Sequence, residues 1–189
     1  MKYYGVGIND LKGLCNTDGK DHKDYKLWCD MLRRCYAKES VNKSYKGVVT
    51  VCDDWKTFSN FRRDVESMEC FGNAGFVLDK DLLIKYNTQY SKEACCFIPS
   101  EINTTLNSRK SYRSNMMVGV RIRNGKFRAY CSFKNKMNYL GVYETEHEAF
   151  MAYKSFKETC IKSLAVEYKH IISEKVFNAL MVYEVCCED

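Results

Sequence analysis

Two periods of apolar residues run through the chain. Leu27, Met31 and Cys35 recur at helical spacing with Trp28 and Leu32 beside them, which predicts a helix over 24–36. A short strand follows at 48–52. Asp53 or Asp54 then stands where an N-cap belongs, ahead of Phe58, Phe61, Val65 and Met68 on one stripe of a second helix. The clean periodicity assigns those aromatics to a core, not to a base-stacking platform. Further on, the pattern predicts a strand over 76–84, a turn at 85–89, a strand over 95–98 and a helix starting over 100–106.

From Val118 the period changes to strict alternation. Val120 and Ile122 fall on one face and Arg121 and Arg123 on the other, and Asn124-Gly125 is a strong two-residue hairpin signal. Beyond it Phe127, Ala129, Cys131 and Phe133 share a face opposite Arg128, Tyr130 and Ser132. A second turn at 134–137 and a third strand at 138–143 complete the pattern. Thr145 and Glu148 have the spacing of a capping box, opening a helix with Ala149, Ala152, Tyr153 and Phe156 turned inward. Ser173 is placed to cap a last helix carrying Val176, Leu180 and Tyr183. The pattern thus predicts a twisted antiparallel sheet backed by one helix, its free face basic and aromatic and suited to a DNA major groove.

Composition narrows the classes. No run approaches the roughly 18 apolar residues of a membrane span, and residues 1–9 lack the features of an export signal, so a soluble cytoplasmic protein is expected. Eleven cysteines are an odd number for a disulfide framework and are expected as reduced, mostly core thiols. Cys95-Cys96 and Cys186-Cys187 are adjacent and His22, His147 and His170 scattered, so no zinc site is expected. Gly5-Val6-Gly7 is too short a motif to indicate a nucleotide site.

The net charge of +6 is concentrated in one place. Residues 1–107 carry 16 Lys or Arg against 15 Asp or Glu, residues 108–143 carry 9 against none, and residues 144–189 carry 5 against 9. Such a segment points to a polyanion as partner. It begins in an aperiodic basic connector, 108–115, that holds Arg109, Lys110 and Arg113. The expected organisation is therefore a module over 1–107, the connector, a DNA-binding domain over 116–168 and a C-terminal helix within 169–189, all of α+β class.

Gly119-Val120-Arg121, Gly125-Lys126-Phe127, Tyr139-Leu140-Gly141-Val142-Tyr143-Glu144-Thr145 and Glu148-Ala149 together resemble the APETALA/ethylene-response-factor DNA-binding domain. That resemblance implies three strands reading the major groove of double-stranded DNA, with Arg121, Arg123, Tyr130, Ser132 and Tyr139 on the reading face. Lys126 and Arg128, with the connector's Arg109, Lys110 and Arg113, add positive charge toward the same partner. Family members often carry charged residues where Tyr130 and Ser132 stand and tryptophan where Tyr139 stands, so a base preference does not transfer.

The first hundred residues carry a second resemblance. Tyr25, Trp28, Met31-Leu32, Arg34-Cys35-Tyr36, Val51-Cys52, Trp55, Phe58, Leu78-Asp79-Lys80-Asp81-Leu82, Tyr90-Ser91, 95–99 and Ile102-Asn103 are similar to a group of phage HNH homing endonucleases. The resemblance implies a ββα module in which Asp79 and Asn103 are metal ligands, with magnesium or manganese as the cofactor of an active enzyme. It also implies a setting in the cytoplasm of an infected bacterial host. Two departures stand out: Lys80 occupies the place of the general-base histidine, and Cys95 that of the middle asparagine. A protonated lysine is a poor base, although it could neutralise a phosphate. Read without the resemblance, Asp79, Lys80 and Asp81 are alternating surface charges beside core Leu78, Leu82 and Leu83, and Asn103 braces its helix. A metal-dependent site-specific endonuclease and a nuclease-inactive DNA-binding regulator or architectural protein both remain open at this point.

Overall fold

The computed structural model describes residues 2–37, 47–107 and 116–187, and the basic connector expected at 108–115 lies outside them. The architecture is α+β, with five α-helices and several small sheets among the described residues. The chain divides into two compact units, Met1–Ile98 and Pro99–Asp189. The division falls ahead of the connector, so the helix at residue 100 belongs to the second unit.

In the first unit a hairpin of β1 (Asn16–Thr17) and β2 (Lys20–Asp21) precedes helix α1 (Lys23–Tyr36). The hairpin turn is Asp18-Gly19, both at positive φ, a signal passed over in favour of the longer apolar patterns. Gly7 packs so closely on Trp28 and Leu32 that a Cβ there would overlap Leu32, which gives this glycine a packing role. Helix α2 (Phe58–Glu66) follows a short 3-10 turn at Asp54–Lys56. Trp28, Leu32, Trp55, Phe58, Phe61 and Val65 are fully buried between these helices. Each buried indole has a partner: Trp28 Nε1 donates to the Trp55 carbonyl at 2.8 Å, and Trp55 Nε1 to Asp64 Oδ2 at 3.0 Å.

Three expectations change here. The strand at 48–52 reduces to β3 (Thr50–Val51), which pairs in parallel with β5 (Gln89–Tyr90), so residue 89 ends in a strand instead of a turn. The strand over 76–84 stops early as β4 (Phe76–Asp79), hydrogen-bonded to β6 (Cys96–Pro99), because Asp79 closes a turn on itself. Finally, neither Asp53 nor Asp54 caps α2. The Thr57 side chain at the N-cap makes no capping bond either. The orphan amide of Ser59 donates instead to Asp10 Oδ1 at 3.0 Å, with the Ser59 hydroxyl on Oδ2, from 49 residues away.

The second unit opens with α3 (Ser100–Leu106), whose Glu101 accepts a hydrogen bond from the Tyr168 hydroxyl at 2.7 Å. Strands β7 (Val120–Arg123), β8 (Lys126–Phe133) and β9 (Lys136–Tyr143) form one antiparallel sheet. Asn124 and Gly125 have φ of 52° and 71°, the double positive of a type I′ turn, as their sequence predicts. Lys134 and Asn135, at 48° and 60°, make a second such turn without glycine, so β9 starts earlier than expected. Helix α4 (Glu146–Glu167) packs on all three strands and carries the predicted capping box. The Glu148 amide donates to Thr145 Oγ1 at 3.2 Å, and the Thr145 amide to Glu148 Oε2 at 3.1 Å.

The inward stripe of α4 is wider than the one predicted. Ala149 and Tyr153 are buried, but Ala152 and Phe156 are only half-buried, while Phe150, Cys160, Ile161, Leu164 and Ala165 go inside. The helix faces the sheet on one side and α3 and α5 on others, which a single stripe could not satisfy. Helix α5 (Glu174–Met181) is capped by Ser173, whose Oγ accepts from the Val176 amide at 3.3 Å, and Tyr183 lies beyond its end. No described helix is long and apolar enough to cross a membrane.

The remote cap yields a stability prediction. Burial opposes the Asp10 charge, but the bonds from the Ser59 hydroxyl and amide outweigh it and hold the carboxyl below its ordinary range. A depressed pKa in the folded state means the contribution is present at neutral pH and lost as pH falls through that pKa. Asp10→Ala is expected to lower stability by about 1 kcal/mol at neutral pH. In urea unfolding curves the gap to wild type should close on acidification, and a gap independent of pH would reject the cap.

Candidate nucleic-acid interface

Cross-strand partners in a pleated sheet share a face, so the register fixes what the free face presents. Arg121 pairs with Arg128, Arg123 with Lys126, Arg128 with Val142, Tyr130 with Tyr139 and Ser132 with Met137. On the other face Val120, Ala129 and Cys131 are buried. Ile122, predicted to go inside with Val120, is instead 54% exposed near the hairpin end. The register shifts between Ala129, which pairs with Gly141, and Tyr130, which pairs with Tyr139, so Leu140 is the extra residue of a β-bulge. Counted from the Lys134-Asn135 turn, Tyr139 falls opposite Tyr130 without the bulge, and the bulge is what sets Gly141 opposite Ala129 and Val142 opposite Arg128. Gly119, at φ 78°, is required where β7 begins, because a Cβ would overlap the Tyr153 ring.

The predicted reading residues therefore come together. Arg121, Arg123, Lys126, Arg128, Tyr130, Ser132 and Tyr139 share one face, along with Met137, which was expected in the turn at 134–137 but lies in β9, and Val142, which the Leu140 bulge sets opposite Arg128. Arg109, Lys110 and Arg113 lie outside the described residues. Lys126 pairs with Glu144, a partner 18 residues away that no local spacing announces, and Lys134 pairs with Glu167 at 2.8 Å. Among the described residues no acid pairs with Arg121, Arg123 or Arg128. Arg128 Nε is enclosed and has no hydrogen-bond partner there. The Arg121 guanidinium lies 5.1 Å from the Tyr130 ring centroid, and the Tyr130 and Tyr139 rings are 5.2 Å apart. A face of this kind, with three arginines that no acid pairs among the described residues, can accept a polyanion.

Asp79 and Lys80 are built differently. Both are buried, not surface charges. Asp79 Oδ1 accepts the Asp81 amide at 2.9 Å and the Leu82 amide at 2.8 Å, an Asx-type turn that ends β4. Burial pushes its carboxyl up, and those amide bonds offset only part of the rise. Lys80 Nζ donates to Asp81 Oδ1 at 2.5 Å and to the Asn87 carbonyl at 2.7 Å, while Asn87 Nδ2 donates back to the Lys80 carbonyl at 2.9 Å. The Cys95 thiol is pushed up to about 12 by burial. Asn103 belongs to the second unit, where its side-chain oxygen accepts from Asn107 Nδ2 at 3.1 Å, a brace within α3.

This donor set does not fit a divalent cation. The one carboxylate already accepts two amides on Oδ1, burial pushes its pKa up, and the buried Lys80 side chain stands on the adjacent residue. Among the described residues no group of three or more His, Cys, Asp or Glu side chains could hold a metal.

No protein-family model matches the sequence, and no curated protein or solved structure matches it.

The turn separates a structural from a catalytic Asp79. Asparagine keeps the accepting oxygen and removes the unfavourable buried charge, so Asp79→Asn should fold with stability equal to or above wild type. Asp79→Ala strands two amides and should cost about 1–3 kcal/mol. Chemical denaturation of both variants at neutral pH measures this, and an asparagine variant as unstable as the alanine one would reject the turn role.

Proposed function

We propose that this protein binds double-stranded DNA through the free face of β7, β8 and β9, and that its first unit is structural and does not cleave. The observation that supports the first part is the set Arg121, Arg123 and Arg128 on one face with no acid paired to them among the described residues. A twisted three-stranded sheet matches a groove about 12 Å wide, and arginine forks suit guanine edges and phosphates. The deep, narrow major groove of A-form RNA would not admit it.

The HNH-like reading of the first unit rests on its resemblance to phage homing endonucleases. Against an active nuclease stand the engaged Asp79 carboxylate and the buried Lys80, whose Nζ is tied to Asp81 and to the Asn87 carbonyl. A regulator or architectural protein is the better fit.

The test is to incubate the purified protein with duplex DNA, with and without magnesium or manganese, and score both shifted and cut species. A shift without cutting is expected. If roughly six of the basic residues in 108–143 meet phosphates, affinity should drop on the order of a thousandfold between 50 and 200 mM salt. Releasing Lys126 with Glu144→Gln should tighten binding to all sequences and steepen the salt slope by about 1. A flat salt response would sink the interface. Magnesium-dependent cutting that Asp79→Asn removes would sink the structural reading of the first unit.

A further inference from the structure

Resting on the DNA-binding reading above, we propose that Tyr130 is a positioning residue that seats Arg121 for guanine recognition, and that Tyr139 braces it and does not itself read a base. Direct readout of guanine by arginine needs two parallel bonds to O6 and N7, so it depends on a guanidinium held in a fixed plane. An arginine on an exposed strand has no such plane of its own. Arg121 is given one by its diagonal neighbour on β8, with its guanidinium carbon 5.1 Å from the Tyr130 ring centroid. Stacking occupies the flat face of the guanidinium and leaves its N–H edge free to donate. Arg128, directly across the strand pair, repels Arg121 and disfavours the arm folding over β8 in its direction.

The seat is itself held. Tyr139 is the register partner of Tyr130 on β9, and the two rings lie 5.2 Å apart, tilted by 45°. The unshifted register running from the Lys134-Asn135 turn sets Tyr139 opposite Tyr130, and the Leu140 bulge comes only after it, next to Gly141, whose φ is 135°. A chain of dependence runs from that turn to Tyr139, to Tyr130, to Arg121. Among the described residues Arg123 has no ring beneath it, and its register partner is Lys126, so the Tyr130 ring supports one arginine of the pair on β7. Neither tyrosine hydroxyl takes part in the seating. The ring is what matters, and phenylalanine should replace it.

The experiment starts from random duplexes selected on the wild-type protein, and measures affinity of variants for the selected duplex and for every single base-pair change in it. Arg121→Ala should weaken the selected duplex roughly tenfold to a hundredfold and stop discriminating at one guanine. Tyr130→Leu should lose several-fold, blur that same base pair and no other, and add nothing in the double variant with Arg121→Ala. Tyr130→Phe should stay within about twofold of wild type, the margin of a lost exposed hydroxyl. Replacing that guanine by 7-deazaguanine should cost wild type more than it costs Tyr130→Leu. In the free protein, the Arg121 side-chain NMR resonances should show an aromatic ring-current shift that Tyr130→Phe retains, a readout that does not depend on the leucine variant folding.

Multiplying losses for Arg121→Ala and Tyr130→Leu, a Tyr130→Phe loss as large as that of leucine, or an unshifted Arg121 resonance would each overturn the positioning role while leaving DNA binding intact. Selection that enriches no sequence, with the ring-current shift still present, would overturn base reading and this proposal with it. The seating of the side chain would then be structural alone.

Discussion

Arg121 opposite Arg128 and Arg123 opposite Lys126 place four cations at adjoining positions of one strand pair, where like charges directly across a sheet repel. Among the described residues, Lys126 alone of these four has an acid partner. The sheet holds this arrangement because its stability comes from the opposite face. There Val120, Ala129 and Cys131 close on α4, Gly119 lets β7 approach the Tyr153 ring, and the Thr145–Glu148 box fixes where the helix starts. Each of those features agrees with the others, which is what allows one face to carry unfavourable charge without choosing another register. A shift by one residue would send the arginines into the core.

Legibility in the sequence followed the range of the interactions. The β7–β8 hairpin could be read because Asn124-Gly125 dictates its own turn and alternation on either side fixes the register. The capping box and the Ser173 cap could be read because their partners lie three residues apart. The bulge at Leu140 could not, since an extra residue in a strand leaves no mark on composition, and it is the bulge that brings Val142 to the face opposite Arg128. The Asp10 cap was hidden by the 49 residues between it and Ser59, and the pairing of β3 with β5 by strands too short for any period. In the candidate site the cations could be read from charge alone. Their pairing state could not.

The Asp79–Lys80 segment shows how a motif and a structural device can share residues. An aspartate at the end of a strand is a metal ligand in one context and an Asx turn in another, and the sequence of Leu78-Asp79-Lys80-Asp81 is the same in both. What distinguishes them is where the oxygens and the ammonium find partners. Here the carboxylate closes on the two amides ahead of it and the ammonium ties residue 80 to Asn87, so the segment is held to its own loop. Burial without a partner would have cost several kcal/mol for each charge, so the partners explain why both side chains are inside.

The same criterion separates the two units. In the first, the polar groups that penetrate the core are matched: the Trp28 and Trp55 indoles, Asp64 with Arg63 and Lys92, Asp79 with its amides. Protein groups supply what those atoms need, and the buried Asp24 carboxylate, whose Oδ2 has no hydrogen bond among the described residues, lies 2.8 Å from Arg62 Nε in an ion pair. In the three-stranded sheet the Nε of Arg128 is enclosed without an acceptor among the described residues, and its neighbour Arg121 is held by a ring that cannot accept its N–H edge. Unmatched donors on an otherwise consistent scaffold are stable only if solvent or a partner supplies acceptors, and duplex DNA offers them at a fixed spacing in both its phosphates and its major-groove base edges.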